Sequence, residues 1–209
     1  MLNVIEAFQR GGPVMYLLLL CSLTVAAIAI DRFLLYRRAS QGARALEADV
    51  AAALRKKKLD EVAPAVKGKD NMVAHLIQSA VDARAAGEDV PMTLEAAYGE
   101  AAMLLRARLN YLSTIVTLAP LLGLLGTISG MIQSFSVFNL QAGQPMAITG
   151  GIGEALIATA TGLLVAIFAL VVHTYYAQRM DTMLTLLEKT MNTMLAGFAA
   201  NDGGRSHAS

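Results

Sequence analysis

Three long apolar stretches limit what this chain can fold into. Residues 14–36, 115–138 and 148–172 each provide the roughly 20 apolar residues that an α-helix needs to cross a bilayer. Charged residues make up only 16% of the chain, against roughly a quarter in soluble domains. The sequence therefore predicts an all-α membrane protein with three transmembrane helices.

The basic residues around these stretches predict their orientation. Arg37 and Arg38 follow the first stretch, Arg106 and Arg108 precede the second, and residues 139–147 contain no Lys or Arg. Because segments rich in Lys and Arg stay in the cytoplasm, we expect the N-terminus outside and the large loop and the C-terminus inside. The predicted order is a periplasmic N-terminus (1–13), the first span, a cytoplasmic helical loop (37–114), the second span, a periplasmic loop (139–147), the third span, a cytoplasmic C-terminal helix (173–200) and a disordered tail (201–209).

The predicted cytoplasmic segments are helical extensions. Apolar residues recur at helical spacing between Asn71, a good N-cap, and Gly87, a good stop. A second pattern starts after Pro91 and continues without a breaker into the second span, which predicts one long helix standing out of the membrane. After the third span, apolar residues alternate spacings of four and three, as in a coiled coil. This apolar stripe is predicted to pack either against helices of the same chain or against another subunit.

One acidic residue, Glu154, lies within the third span. An ionised carboxylate in hydrocarbon costs about 2.5–3.5 kcal/mol, so it requires a reason to be there. Gly150, Glu154, Ala158 and Gly162 follow one another at i+4, which places Glu154 on a stripe of small residues that faces other helices or a wet pore. A carboxyl group that is neutral in lipid and charged in water would act as a proton site. The alternative is a helix-start acid in the outer headgroup region.

The second span offers a matching thin face. Gly123, Gly126, Thr127, Gly130 and Ser134 lie along one side of it, with Gly126 and Gly130 in small-xxx-small spacing. Pro120 interrupts the amide ladder and is predicted to kink the helix. We therefore expect the second and third spans to approach each other closely.

Three threonines accompany these faces. Thr161 follows Glu154 at i+7, Thr159 lies near the edge of the same stripe, and Thr127 is on the second span. They are predicted to line a passage with Glu154, where hydroxyls bind water or a proton carrier. The alternative for each is helix packing, with the hydroxyl bonded to the preceding turn of its own helix.

Other kinds of chemistry find little support. His75, His173 and His207 are far apart in sequence, the single cysteine Cys21 lies in an apolar run, and no phosphate loop is present. We expect no enzyme, no metal and no cofactor. The basic run at residues 55–58 is interpreted as a solvated face or an attraction to anionic membrane lipid, and no nucleic-acid binding is expected.

Two runs carry a resemblance to a known family. They are LAPLLGLLGT at residues 118–127 and GIGEALIATATGL at residues 151–163. These runs resemble the MotA/TolQ/ExbB proton-channel family and are most similar to ExbB and TolQ. Three spans, against four in MotA, argue against a flagellar stator. The N-terminal segment is shorter than the extended periplasmic segment of some ExbB proteins, and the resemblance leaves the choice between ExbB and TolQ open.

The resemblance implies a homopentamer, a ring in which the second and third helices line a central pore. It implies an ExbD- or TolR-like single-span partner inside that pore and a TonB- or TolA-like periplasm-spanning protein that receives the force. Glu154 would be the proton-site acid, and Thr127 and Thr159 would be pore-lining hydroxyls. The location would be the bacterial inner membrane. The alternative function is a passive helical scaffold in which Glu154 only bonds a neighbouring helix.

Overall fold

The computed structural model of the chain describes residues 12–56, 58, 61–140 and 145–206, with side chains at 12–56, 58, 61–135, 150–153 and 155–201. Within these residues it forms seven α-helices. They are α1 (Val14–Ser40), α2 (Ala43–Arg55), α3 (Val62–Val66), α4 (Met72–Ala86), α5 (Val90–Arg106), α6 (Leu109–Leu140) and α7 (Pro145–Ser206).

Three helical stretches, Val14–Arg55, Val90–Phe135 and Gly150–Asn201, are long and apolar enough to cross a membrane. Their number confirms the prediction of an all-α membrane protein with three apolar helices. One compact unit comprises residues 1–31 and 108–176, and a second comprises residues 32–107 and 177–209. The predicted span limits and the periplasmic and cytoplasmic sides stay predictions.

The first unit contains α6 and the apolar parts of α1 and α7. Leu18 and Val25 of α1 are almost completely buried. Tyr176 of α7 donates a hydrogen bond of 2.7 Å from its hydroxyl to the carbonyl oxygen of Ala29. The polar end of an aromatic side chain thus fixes α7 against α1.

The prediction of one continuous helix from the middle segment into the second span is wrong. The helix breaks between Arg106 and Leu109, where Arg108 has a φ of 67°. A residue other than glycine rarely adopts this left-handed backbone conformation without tertiary support. That support is an ion pair, because Arg108 Nη1 lies 3.0 Å from Oδ1 of Asp31.

The end of α5 that this break creates is capped by side chains from α1. Arg32 donates from Nη1 to the carbonyl oxygen of Leu104, and Tyr36 donates from its hydroxyl to that of Leu105, both at 2.9 Å. Arg32 and Tyr36 are buried. The last carbonyls of a helix have no intrahelical partner, so these bonds satisfy groups that burial would otherwise make costly.

The second unit has an apolar core among short helices. α4 packs against both α2 and α5, and Leu46, Leu76, Ile77 and Leu94 are almost completely buried. The predicted limits of α4 are confirmed: the side chain of Asn71 accepts a 2.8 Å hydrogen bond from the amide of Ala74, and Gly87 is a left-handed C-cap with φ 73°.

The predicted coiled-coil stripe near the end of α7 packs against helices of its own chain at its buried positions. This is the first of the two predicted arrangements. Met194 and Phe198 are buried, and the guanidinium of Arg84 lies 4.5 Å from the ring centroid of Phe198. Lys189 Nζ lies 3.2 Å from a carboxylate oxygen of the buried Glu47. These contacts connect α7 with α4 and α2.

Three helix limits differ from the predictions. α6 continues through Pro120 to Leu140 and α7 begins at Pro145, so the helices enter the predicted loop from both sides, and residues 141–144 lie outside the described part. α7 also continues to Ser206, beyond the predicted helix end at residue 200. The last three residues of the predicted tail lie outside the described part.

Candidate functional site

Small residues bring α6 and α7 into direct backbone contact. We call this contact the α6–α7 seam; it comprises Ala119, Gly123, Gly126, Gly130 and Ser134 on α6 and Gly151, Ala155, Ala158 and Gly162 on α7. A methyl carbon added to Gly162 would lie 2.6 Å from the carbonyl oxygen of Ala119 and 3.0 Å from Cα of Gly123. Only glycine fits there, because the neighbouring atoms belong to the backbone.

The same closeness extends along both helices. A methyl carbon on Gly123 would lie 3.1 Å from the carbonyl oxygen of Ala158, and one on Gly126 would lie 2.6 Å from Cβ of the same residue. At Gly130 the nearest atom would be Cβ of Ala155, at 3.2 Å. The predicted packing role of these glycines agrees with this geometry, and small faces of this kind allow membrane helices to associate.

The contact face of α7 differs from the predicted stripe. Gly150 was predicted to pack, but a methyl carbon there would meet no described atom within 4 Å, whereas Gly151 faces the side chain of Ser134. The physical reason is the helical repeat: each step of four residues drifts by about 40°, so three such steps turn the line by about 120°. The observed seam alternates four and three residues, which keeps it on one face.

The hydroxyl of Thr159 joins the two helices. Its Oγ1 donates a 3.0 Å hydrogen bond to the carbonyl oxygen of Gly123, across the seam. Pore-lining by Thr159 stays a prediction. The observed bond shows that its proton is engaged in holding α7 to α6.

The other two threonines bond to their own helices. Thr127 donates to the carbonyl oxygen of Leu124 at 2.7 Å, and Thr161 donates to that of Ile157 at 2.8 Å. Both side chains are partly exposed. Their hydroxyl oxygens can still accept a hydrogen bond from water or a hydrated proton, so a place beside a passage stays a prediction for both.

Glu154 lies in α7, and its side chain is outside the described residues. At about 100° per residue, its backbone position is about 60° around the helix from Gly151 and about 40° from Ala158. Thr161 lies on the same flank of the seam, about 20° away, whereas Thr159 lies about 140° from Glu154 on the other flank. Helical register therefore groups Glu154 with Thr161.

The charge distribution makes Glu154 exceptional. It is the one Asp, Glu, Lys or Arg between Arg108 and Arg179 in the sequence. Among the described residues of the same unit, Arg108 pairs with Asp31 at the other end of α6. Among the described residues no group of three His, Cys, Asp or Glu side chains is arranged to hold a metal ion.

Sequence reasoning found the three α6 glycines, Ser134, Ala158 and Gly162, and it missed Gly151 and Ala155. A search for alternating steps of four and three small residues would have found both. Ser134 is buried in the structure and donates a 2.8 Å hydrogen bond to the carbonyl oxygen of Gly130.

Comparisons with known proteins agree with this architecture. Residues 65–189 match the MotA/TolQ/ExbB proton channel family. The chain is 32% identical over 188 residues to a Synechocystis sp. protein named as an ExbB-like 1 biopolymer transport protein, covering 86% of this chain and 74% of the relative.

Two further relatives match the chain over shorter lengths. The Tol-Pal system protein TolQ of Pseudomonas aeruginosa is 33% identical over 108 residues, which is 51% of this chain and 47% of TolQ. The biopolymer transport protein ExbB of Salmonella typhimurium is 38% identical over 74 residues, covering 35% of this chain and 30% of ExbB. With the family match extending over most of the chain, this protein belongs to the MotA/TolQ/ExbB proton channel family.

Proposed function

We propose that this chain is the proton-channel subunit of an inner-membrane motor of the ExbB/TolQ type. The motor would use the proton motive force to drive TonB- or Tol-dependent transport or envelope work. The observation that carries the proposal is Glu154, the single acid in the interval between Arg108 and Arg179, where the apolar parts of two helices touch through their backbones. Family membership supports the same reading.

The α6–α7 seam gives this acid a defined support. Two helices in backbone contact form a rigid pair, and Glu154 occupies the flank of that pair next to Thr161. In this proposal the flank faces the proton passage and Thr161 accepts a hydrogen bond there, while Thr159 acts on the other flank by binding Gly123. Thr127 lines the passage from α6.

The remaining parts of the machine are proposed from the family resemblance. Copies of this chain form a homopentamer, an ExbD- or TolR-like single-span protein lies within it, and a TonB- or TolA-like protein receives the force. The N-terminus is periplasmic and the C-terminus cytoplasmic. Moving one charge through 100 mV releases about 2.3 kcal/mol, so a few protons per step supply useful mechanical work.

A passive scaffold is the second candidate, and one observation favours it. The hydroxyl protons of Thr127, Thr159 and Thr161 are all donated to backbone carbonyl oxygens, as expected where threonines serve helix packing. In a scaffold, Glu154 would only accept a hydrogen bond from a neighbouring helix. An amide can replace a carboxyl group in that role but cannot release a proton.

The test is Glu154→Gln in bacterial cells that lack their own ExbB and TolQ and express this chain with its single-span partner. We expect the variant to reach the membrane at the wild-type level and to lose proton-gradient-dependent activity. Two readouts separate the systems: energised uptake through outer-membrane receptors reports TonB-type work, and resistance of the envelope to detergent reports Tol-type work.

Glu188→Gln is the matched control, because it makes the same chemical change at an exposed position on the same helix. It should retain full activity. Retained activity in Glu154→Gln, at matched membrane levels, would contradict the proton-site role and favour the scaffold.

A further inference from the structure

α5 carries the most exposed large apolar side chains of the described residues. Met92 and Met103 are 72% and 71% exposed, and Ala96 and Gly99 between them are also exposed. These four residues follow one another at steps of four, three and four, so they form one line along the helix, which we call the α5 strip. A contiguous apolar line of this kind indicates a contact surface.

Acidic residues border the α5 strip. Glu95 lies on one edge and Glu100 on the other, by helical register, and both are exposed. Among the described residues neither of them forms an ion pair within the chain. The strip therefore combines apolar contact area with the negative charge of Glu95 and Glu100, and exposed Arg106 follows it at the C-terminal end of α5.

A complementary face lies on α2. Arg44, Ala48, Ala52 and Arg55 are exposed and fall within about 80° of the helix circumference. We call them the α2 face. Arg44 and Arg55 are about 16 Å apart along the helix, so one arginine lies at each end of the face. The alanines leave room for the methionine side chains, and the arginines match the acidic edges in charge.

The two surfaces lie on different helices of the same unit. α4 packs against both α2 and α5, while α2 and α5 form no comparable contact with each other in the described residues. One chain therefore does not bring its own α2 face onto its own α5 strip. Two different, mutually complementary surfaces on one subunit generate head-to-tail contacts, and such contacts close into rings when the rotation allows it.

We propose that the α2 face of one copy docks on the α5 strip of the neighbouring copy, and that this contact joins adjacent subunits. The proposal rests on the homo-oligomer of the proposed function. It gives a role to Arg55, the first residue of the basic run at 55–58. Anionic lipid is a poorer occupant of the strip, because Glu95 and Glu100 would repel its headgroups.

Cysteine cross-linking tests the contact in the full chain expressed in membranes. Cys21 is the single native cysteine, so Cys21→Ser provides a background in which only introduced thiols react. Ala48→Cys and Gly99→Cys are combined in one chain and oxidised. We expect a ladder of covalent multimers, because each copy then carries both halves of a head-to-tail contact.

The single variants define the geometry. Ala48→Cys alone and Gly99→Cys alone should stay monomeric, and their co-expression should give dimers only. The pair Ala85→Cys with Gly99→Cys, in which exposed Ala85 lies on α4, should give no ladder. Dimers from either single variant would mean that like faces meet and would overturn the proposal. Absence of cross-links from the Ala48 and Gly99 pair, with both thiols labelled by a soluble maleimide, would also overturn it.

Charge reversal separates a specific contact from chance collision. Arg44→Glu together with Arg55→Glu should lower the cross-linked fraction about fivefold, the loss expected for two exposed ion pairs. Adding Glu95→Lys and Glu100→Lys should restore it. Cross-linking does not depend on proton flow, so adding Glu154→Gln to the chain with both cysteines should leave the cross-linked fraction unchanged. Failure of the cross-linking test would leave the proton-site test unaffected, and failure of the proton-site test would leave this contact intact.

Discussion

The α6–α7 seam and the core around α4 pack in opposite ways. In the seam, the buried positions are glycine, alanine and serine, while large apolar side chains such as Leu121 and Leu164 are exposed. Around α4 the large apolar side chains are inside, with Leu76 and Ile77 almost completely buried. Exposed charged residues also lie on α2, α4 and α5, and on α5 they border the α5 strip.

The difference indicates which solvent each region meets. Burying leucine is favourable when the alternative is water, but lipid chains are as apolar as leucine, so burial inside a membrane gains little. Membrane helices associate through close van der Waals contact and interhelical hydrogen bonds. The seam has both, in its glycines and in the bond from Thr159 to Gly123. Substitutions in the two regions should therefore follow different rules.

The largest difference is expected between two leucines. Leu76 is 2% exposed and Leu164 is 67% exposed. Leu76→Ala leaves a cavity in a water-facing core and should lower the free energy of unfolding by about 2–5 kcal/mol. It is measured as the midpoint shift of helical circular dichroism during denaturation in detergent micelles.

Leu164→Ala is the matched control, since it removes the same atoms from a side chain that is exposed in the first unit. Its effect should stay within about 0.5 kcal/mol, as for exposed positions generally. Equal losses from the two substitutions would break the distinction between the regions.

The same contrast explains which features of the fold were predictable. Apolar length revealed the three long helices, and capping chemistry at Asn71 and Gly87 gave the limits of α4. The break before α6 was not predictable from local sequence. Arg108 is neither glycine nor proline, and its left-handed backbone is supported by Asp31, which lies far away in sequence.

The candidate site was predictable in part for a similar reason. The position of Glu154 within an apolar stretch and the spacing of the α6 glycines identified these residues, because an intramembrane acid and thin helix faces are visible in the sequence. The partner of Thr159 was not, since a hydroxyl can bond its own helix or a neighbouring one at equal distance. Only the approach of Gly123 decides between them. A packing role for Gly150 stays a prediction, because a strict four-residue step departs from the helical repeat and the described seam continues through Gly151 instead.

The next largest effect is expected at a seam glycine. Gly162→Ala would place a methyl carbon 2.6 Å from the carbonyl oxygen of Ala119, so the helices must separate. We expect a loss of about 1–3 kcal/mol in the free energy of unfolding, typical of overpacking. The same denaturation measurement in detergent reports it.

Gly150→Ala is the control for Gly162→Ala, because a methyl carbon at Gly150 meets no described atom within 4 Å. Alanine is favoured over glycine in a helix by about 1 kcal/mol. Gly150→Ala should therefore leave stability unchanged or raise it, so the two substitutions differ in sign. Stabilisation by Gly162→Ala would show that the seam is not in backbone contact.

The smallest effect separates two neighbouring threonines on α7. Thr159→Val removes the hydrogen bond to Gly123 across the seam, while Thr161→Val removes one to Ile157 within the same helix. Interhelical hydrogen bonds in membranes contribute about 0.6 kcal/mol on average, so Thr159→Val should lower the free energy of unfolding by roughly that amount. Thr161→Val should leave the free energy of unfolding nearly unchanged. It should instead slow proton-driven activity, because Thr161 shares the flank of Glu154. If Thr161→Val destabilises the protein more than Thr159→Val does, the assignment of one threonine to packing and the other to the passage is wrong.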